Sequence, residues 1–170
     1  MQRVFDERAI HRCLLDYCRG VDRGDPELVA SVYHADGTDD HGSFKGLGSD
    51  FAIYVTTRLP ERYQATQHTI ANTMIDFVGD DVANVESQVC ARHVRPPRVD
   101  EGLMLETFGG RYVDRFERRD GAWKIARRLV VHEWNMVEPV TLAFPPERFA
   151  QGVRGPADPI YDGITGEQQT

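Results

Sequence analysis

Apolar residues recur at three- and four-residue steps early in the chain and at two-residue steps later. Ile10, Leu14, Tyr17 and Val21 mark one helical face over residues 5–20. Gly20 and Gly24 loosen the end of that helix, and Asp25-Pro26-Glu27 starts another. There Asp25 caps free amides, Pro26 suits the first helical position, and Glu27 suits the positive end of the dipole. This short second helix carries Leu28, Val29, Val32 and Tyr33. A small strand or turn is predicted around 36–44, broken by Gly46 and Gly48. Ser49 or Asp50 then caps a third helix running through Leu59, and Pro60 is expected to end it.

From residue 65 the pattern turns extended. Residues 66–77 are rich in β-branched side chains and close on the turn Gly79-Asp80-Asp81. Over 82–94, Ala83, Val85, Ser87, Val89 and Ala91 alternate onto one face, and Pro96-Pro97 stops the run. Two further strands, 103–118 and 122–134, flank Arg119-Asp120-Gly121, a good hairpin signal. Beyond Asn135 lie five of the nine prolines, so an irregular tail is predicted. Helices first and antiparallel strands afterwards make an α+β domain, with the helices on one face of a curved sheet. The expected division is a domain over 1–135 and a tail over 136–170 that crosses the pocket or packs on a partner subunit.

At 170 residues the chain supports one sizeable core. A hydrophobic fraction of 41% with 28% charged residues argues against disorder of the whole chain. The formal charge of -7 gives a phosphate backbone no general reason to bind, which sets nucleic acid aside. No apolar segment approaches a membrane span or a signal-peptide core, so no membrane partner and a cytoplasmic location are expected. Cys13, Cys18 and Cys90 lack metal-ligand spacing and read as free thiols. The glycines at 42, 46 and 48 fit neither the dinucleotide nor the P-loop pattern, and Asp39-Asp40-His41 reads as an exposed turn. No metal and no organic cofactor is implied.

Three residues could carry chemistry. Asp22 lies just beyond the apolar face of the first helix, His68 sits within a strand, and Arg128 lies in the last strand. Strand alternation places His68, Ile70, Asn72 and Met74 on one face, as a pocket with a few polar groups would require. A histidine can take up a proton near neutral pH, and a carboxylate beside it would fix its tautomer. An arginine could stabilise a developing oxyanion. Structural roles compete with each: a satisfied core histidine, an aspartate closing a turn, an arginine in an ion pair. His132 and Trp134 could line the mouth of the pocket or simply pack. His11, His34 and His93 receive no task.

Four stretches, in order, resemble the SnoaL-like branch of the nuclear-transport-factor-2-like superfamily. They are Leu15-Asp-Tyr17-Cys-Arg-Gly-Val-Asp22-Arg-Gly-Asp, Ser31-Val-Tyr33-His34-Ala-Asp36-Gly, Gln67-His68-Thr-Ile-Ala-Asn72, and Tyr112 through the Asp120-Gly121-Ala-Trp123-Lys-Ile hairpin. The resemblance implies a cone-shaped α+β barrel, with three helices on a curved, mostly antiparallel sheet around a deep apolar pocket. It also implies a homodimer or homotrimer. Within the superfamily the pattern is most similar to the hexachlorocyclohexane dehydrochlorinase, scytalone dehydratase and bile-acid 7α-dehydratase group. That likeness puts Asp22 and His68 in the place of a catalytic pair, with Tyr17 and Arg128 assisting; Asn72, by strand alternation, and His132 and Trp134, at the end of the last strand, are expected toward the substrate. A second histidine of the scytalone dehydratase has no clear counterpart. The implied activity is a cofactor-independent lyase, dehydratase-like, on a mostly apolar cyclic or aromatic small molecule. An isomerase, a polyketide cyclase or a formaldehyde-releasing lyase shares the scaffold. So do the noncatalytic β subunits of ring-hydroxylating dioxygenases.

Overall fold

The computed structural model describes residues 1–161. Its order is α1 (Gln2–Arg23), α2 (Pro26–Ser31), β1 (Tyr33–Asp40), β2 (Lys45–Leu47), α3 (Gly48–Arg62), β3 (Ala65–Phe77), β4 (Val82–Arg95), β5 (Met104–Arg119) and β6 (Ala122–Pro139). A single 3-10 turn, Pro146–Arg148, interrupts the tail. Three helices pack on one six-stranded sheet of order β2-β1-β6-β5-β4-β3. All pairs are antiparallel except β1 with β6, so the sheet is mixed and remains open rather than closing into a barrel.

α1 buries Ile10, Leu14, Tyr17 and Val21, the face read from the periodicity, and continues through Asp22 to Arg23. Gly24 ends it in the left-handed region at φ 67°, the conformation that glycine adopts without a side-chain clash. Gly20 serves a different purpose from the one expected. A Cβ there would lie 2.7 Å from Val29, so its absence lets α2 press against α1. Asp25 caps α2 as predicted, its side chain accepting from the Leu28 amide.

Pro60 does not end α3, which runs two residues farther. It forfeits one amide donor in the final turn, and the Tyr63 amide closes the helix onto the Leu59 carbonyl at 2.8 Å. On β4 the expected alternation holds, with Ala83, Val85, Ser87, Val89 and Ala91 all buried. Ala83, Val85 and Val89 meet Phe51, Tyr112, Phe116, Trp123 and Ile125 in one core. The β5–β6 hairpin turns at Asp120 and Gly121, both at positive φ, as a two-residue primed turn demands.

The last strand is longer than predicted, and residues 136–139 belong to β6 rather than to the tail. The tail then returns to the end of α1. Gly155 donates its amide to the Arg23 carbonyl, Arg154 donates to the Tyr63 carbonyl, and Asp158 faces Arg23 at 3.6 Å. The final nine residues lie outside the described ones.

Candidate active site

Between α3 and the sheet lies a cavity of about 390 Å³. Its walls are largely aromatic and aliphatic, including Tyr17, Phe51, Phe108 and Tyr112, with the polar groups His41, His68, His93, Glu106 and Asn135 set among them. This is the composition of a small-molecule site: apolar surface for binding, a few polar atoms for orientation.

Asp22 and His68 meet at its edge. The last turn of α1 supplies the carboxylate and the fourth position of β3 the imidazole. Asp22 Oδ1 accepts the His68 ring Nδ1–H at 2.8 Å, and Oδ2 accepts the His68 backbone N–H at 2.8 Å. One carboxylate thus grips both the ring and the chain that carries it. The side chains are 11% and 8% exposed. With Nδ1–H committed to Asp22, Nε2 is left as the ring nitrogen able to accept a proton.

His93 was missed. It follows Ala91 on the buried side of β4, and its ring stands edge-on to His68 at 5.4 Å and stacks on Tyr63 at 4.7 Å. Burial first, and the neighbouring His68 second, push it down to about 4, so it is neutral at neutral pH. The alternation of β4 carried the signal, since the face of Ala83 through Ala91 extends to residue 93. Tyr63 in turn donates to Glu106 Oε2 at 2.6 Å, and Glu106 Oε1 accepts from Arg95 Nε at 2.9 Å. The hydrogen bond from Tyr63, followed by Arg95, holds Glu106 below the usual carboxylate range. Burial and Glu106 push Tyr63 up to about 12.

Tyr17 lines the cavity, stacked with Phe51 at 6.4 Å and edge-on to Tyr112 at 5.5 Å. Burial raises its phenol well above the ordinary value, which keeps it a neutral hydrogen-bond donor. Arg128 is not in the cavity wall. It is fully buried, paired with Asp114 at 2.8 and 2.7 Å, its guanidinium 4.2 Å from the Tyr17 ring centroid and 4.1 Å from that of Tyr112. Both rings line the cavity, and the Arg128 Nη1 is buried without a hydrogen-bond partner.

Asn72, His132 and Trp134 do not line the cavity. Asn72 occupies a bulge of β3, at φ 44°, where the register shifts between Ala71 and Met74. The extra residue reverses the alternation: His68 and Ile70 point inward, whereas Asn72 turns out to Gln88 and Met74 is 62% exposed. A second shift, at Gly109/Gly110, does the same to β6. Trp134 is 50% exposed and lies over Gly109, where any Cβ would collide with its indole. His132 is exposed and bonds to Asn135 at 2.8 Å. Asn135 and Val137 reach the cavity instead.

The sequence profile of the SnoaL-like domain matches residues 2–129. The chain belongs to the SnoaL-like family. No curated protein matches it. Among solved structures it is similar to a protein of Novosphingobium aromaticivorans DSM 12444, provisionally designated a scytalone dehydratase. The two share 28% identity over 86% of this chain and 97% of the other, with a TM-score of 0.69. It is also similar to a type 2 hexachlorocyclohexane dehydrochlorinase, at 23% identity over 85% and 96% with a TM-score of 0.74. A type 3 dehydrochlorinase of Novosphingobium barchaimii LL02 gives 21% over 85% and 97% with a TM-score of 0.73. The last two establish the shared fold. Among the described residues no helix is long and apolar enough to cross a membrane, and no cluster of histidine, cysteine and carboxylate side chains could hold a metal.

Proposed function

We propose that the protein is a cofactor-independent lyase that eliminates water, or a comparable small group, from a mostly apolar cyclic or aromatic molecule. The observation that carries this reading is the 2.8 Å bond between Asp22 and a histidine lining an aromatic cavity. His68 Nε2 takes a proton from carbon. The released electron pair forms the double bond, the adjacent C–O bond breaks, and the imidazolium returns its proton to the departing oxygen as water. Asp22 holds the ring in the required tautomer and stabilises its charged form. Tyr17, kept neutral, donates a hydrogen bond to substrate oxygen. Arg128 positions Tyr17 and Tyr112 without touching the substrate.

Cyclic β-hydroxy ketones, such as a β-hydroxytetralone, are the first panel to test, because the carbonyl acidifies the proton to be removed. Wild-type protein is expected to release a product lighter by one water, and His68→Ala to slow that release at least about a hundredfold. Turnover of the same compound with unchanged mass would replace the lyase by an isomerase or a cyclase. Near-normal turnover in His68→Ala would remove His68 from the mechanism.

A further inference from the structure

The cavity contains a second carboxylate–imidazole pair. His41 opens the turn between β1 and β2, where its backbone N–H donates a hydrogen bond to the Phe44 carbonyl at 2.8 Å. Its Nδ1–H donates to Asp39 Oδ1 at 2.8 Å, and the ring stacks on Phe51 at 4.4 Å. Asp39 is not the exposed residue that its sequence context predicts. It is 2% exposed, and its other oxygen accepts the Tyr33 hydroxyl at 2.6 Å. Both carboxylate oxygens are therefore occupied, as they are in Asp22, but one holds the His41 ring and the other the Tyr33 hydroxyl.

Burying a carboxylate is unfavourable unless hydrogen bonds repay its lost hydration. A turn histidine has no need of such an anchor merely to pack on a phenylalanine. The anchor fixes ring orientation, and among the described residues His41 Nε2 has no protein partner. That free nitrogen belongs to a ring in the cavity wall.

The two pairs approach from opposite sides. β1 and β3 are separated in the sheet by β6, β5 and β4. His41 stacks on Phe51 near the start of α3, whereas His93, the neighbour of His68, stacks on Tyr63 just past the end of α3. A molecule whose reacting carbon lies at His68 extends along α3 toward His41.

We infer that His41, oriented by Asp39 and Tyr33, is a specificity-determining residue that hydrogen-bonds an oxygen function at the far end of the substrate. The preferred class is a fused-ring molecule with two oxygen functions, one near each imidazole. This deepens the lyase reading and rests on it for the identity of the cavity as the substrate site.

The test is a ligand-by-residue cycle that needs no turnover. Binding of a naphthalenediol with its hydroxyls on opposite rings is compared with binding of the corresponding naphthol by titration calorimetry. Wild-type protein is expected to favour the diol about tenfold, one good hydrogen bond. His41→Phe keeps the aromatic stack and is expected to reduce that preference to about twofold or less while binding naphthol as before. Asp39→Asn, which keeps one acceptor for the ring but removes the charge and the second carboxylate oxygen, is expected to fall between them. A preference that survives in His41→Phe overturns the inference. So does wild-type protein that lacks one, or binds neither ligand. Equal weakening of both ligands in His41→Phe assigns the ring to packing and overturns it too. The lyase reading is judged separately, by the turnover of His68→Ala.

Discussion

Two acid–base pairs in this molecule have similar bond lengths and opposite surroundings. Asp22–His68 sits at the wall of an aromatic cavity, with a ring nitrogen free, and Asp114–Arg128 is sealed beneath Tyr17 and Tyr112 with no exposure. The sequence nominated both members of the first pair, and the arginine of the second, for one active site. Solvation separates them. A group that must meet a substrate has to keep an open side. A guanidinium that spends two nitrogens on one carboxylate and its faces on two tyrosines is instead part of the scaffold. The bulky wall of the cavity depends on that buried cation, because both rings that shape it rest against Arg128.

The largest effect should follow from breaking the sealed pair. Arg128→Met leaves Asp114 as an uncompensated buried carboxylate, and urea denaturation should show a loss of about 3–5 kcal/mol. The double replacement Arg128→Met with Asp114→Leu removes the stranded charge and should regain most of that stability. If the single and double variants were equally destabilised, Arg128 would matter for its volume and its contacts to the rings rather than for its charge. Cutting the open pair should do the reverse. His68→Ala should lower turnover at least about a hundredfold, roughly 2.7 kcal/mol in the barrier, while its stability falls less than that of Arg128→Met, because Asp22 keeps the backbone amide of residue 68 as a partner.

His93 lies between these extremes, buried yet part of the cavity wall. Its folded value of about 4 lies below the ordinary 6.5, so the unfolded chain binds a proton first as the pH falls. Stability from this group is complete above 6.5 and is lost progressively between 6.5 and about 4. The loss should be on the order of 3 kcal/mol by pH 4. His93→Phe, which keeps the stack on Tyr63, should flatten that part of the stability–pH curve. An unchanged slope would place the acid sensitivity elsewhere.

Much of this architecture was legible in the chain because helices and strands repeat with different periods. The Ile10–Leu14–Tyr17–Val21 stripe and the Ala83-to-Ala91 alternation each led to a correct buried face. Asp22 and His68 stood out by position, their pairing and Tyr17 came from family likeness, and the structure brings all three to the cavity or its edge. What failed was parity. A bulge has no reliable side-chain signature, and one unpaired residue at Asn72 sends everything after it to the other face. The same happens before Trp134, so two of the three proposed substrate contacts were lost to register and not to chemistry. His41 was hidden for another reason: nothing local reveals that Asp39, one of two adjacent aspartates, will be the buried one.

The smallest effect concerns the tail, which packs against the end of α1. Arg154 lies against Gly24, two residues beyond Asp22, and donates to the Tyr63 carbonyl at 3.0 Å. Its Nε and Nη2 are buried without hydrogen-bond partners. Burial lowers the value of this guanidinium, and the charge of Asp22 is the favourable influence that opposes it. Arg154 therefore adds a cation behind the carboxylate that orients His68, at the expense of two unsatisfied donors. Arg154→Met should leave stability within about 1 kcal/mol of wild type, because the lost hydrogen bond is offset by relief of those donors. Turnover should still fall, by about two- to fivefold, through weaker support of the Asp22 charge. Arg154→Lys, which keeps the charge without the planar fork, should recover most of that turnover. If Met and Lys were equally impaired, the tail would serve the open pair by packing alone, and the cation would have no part in separating the two kinds of pair.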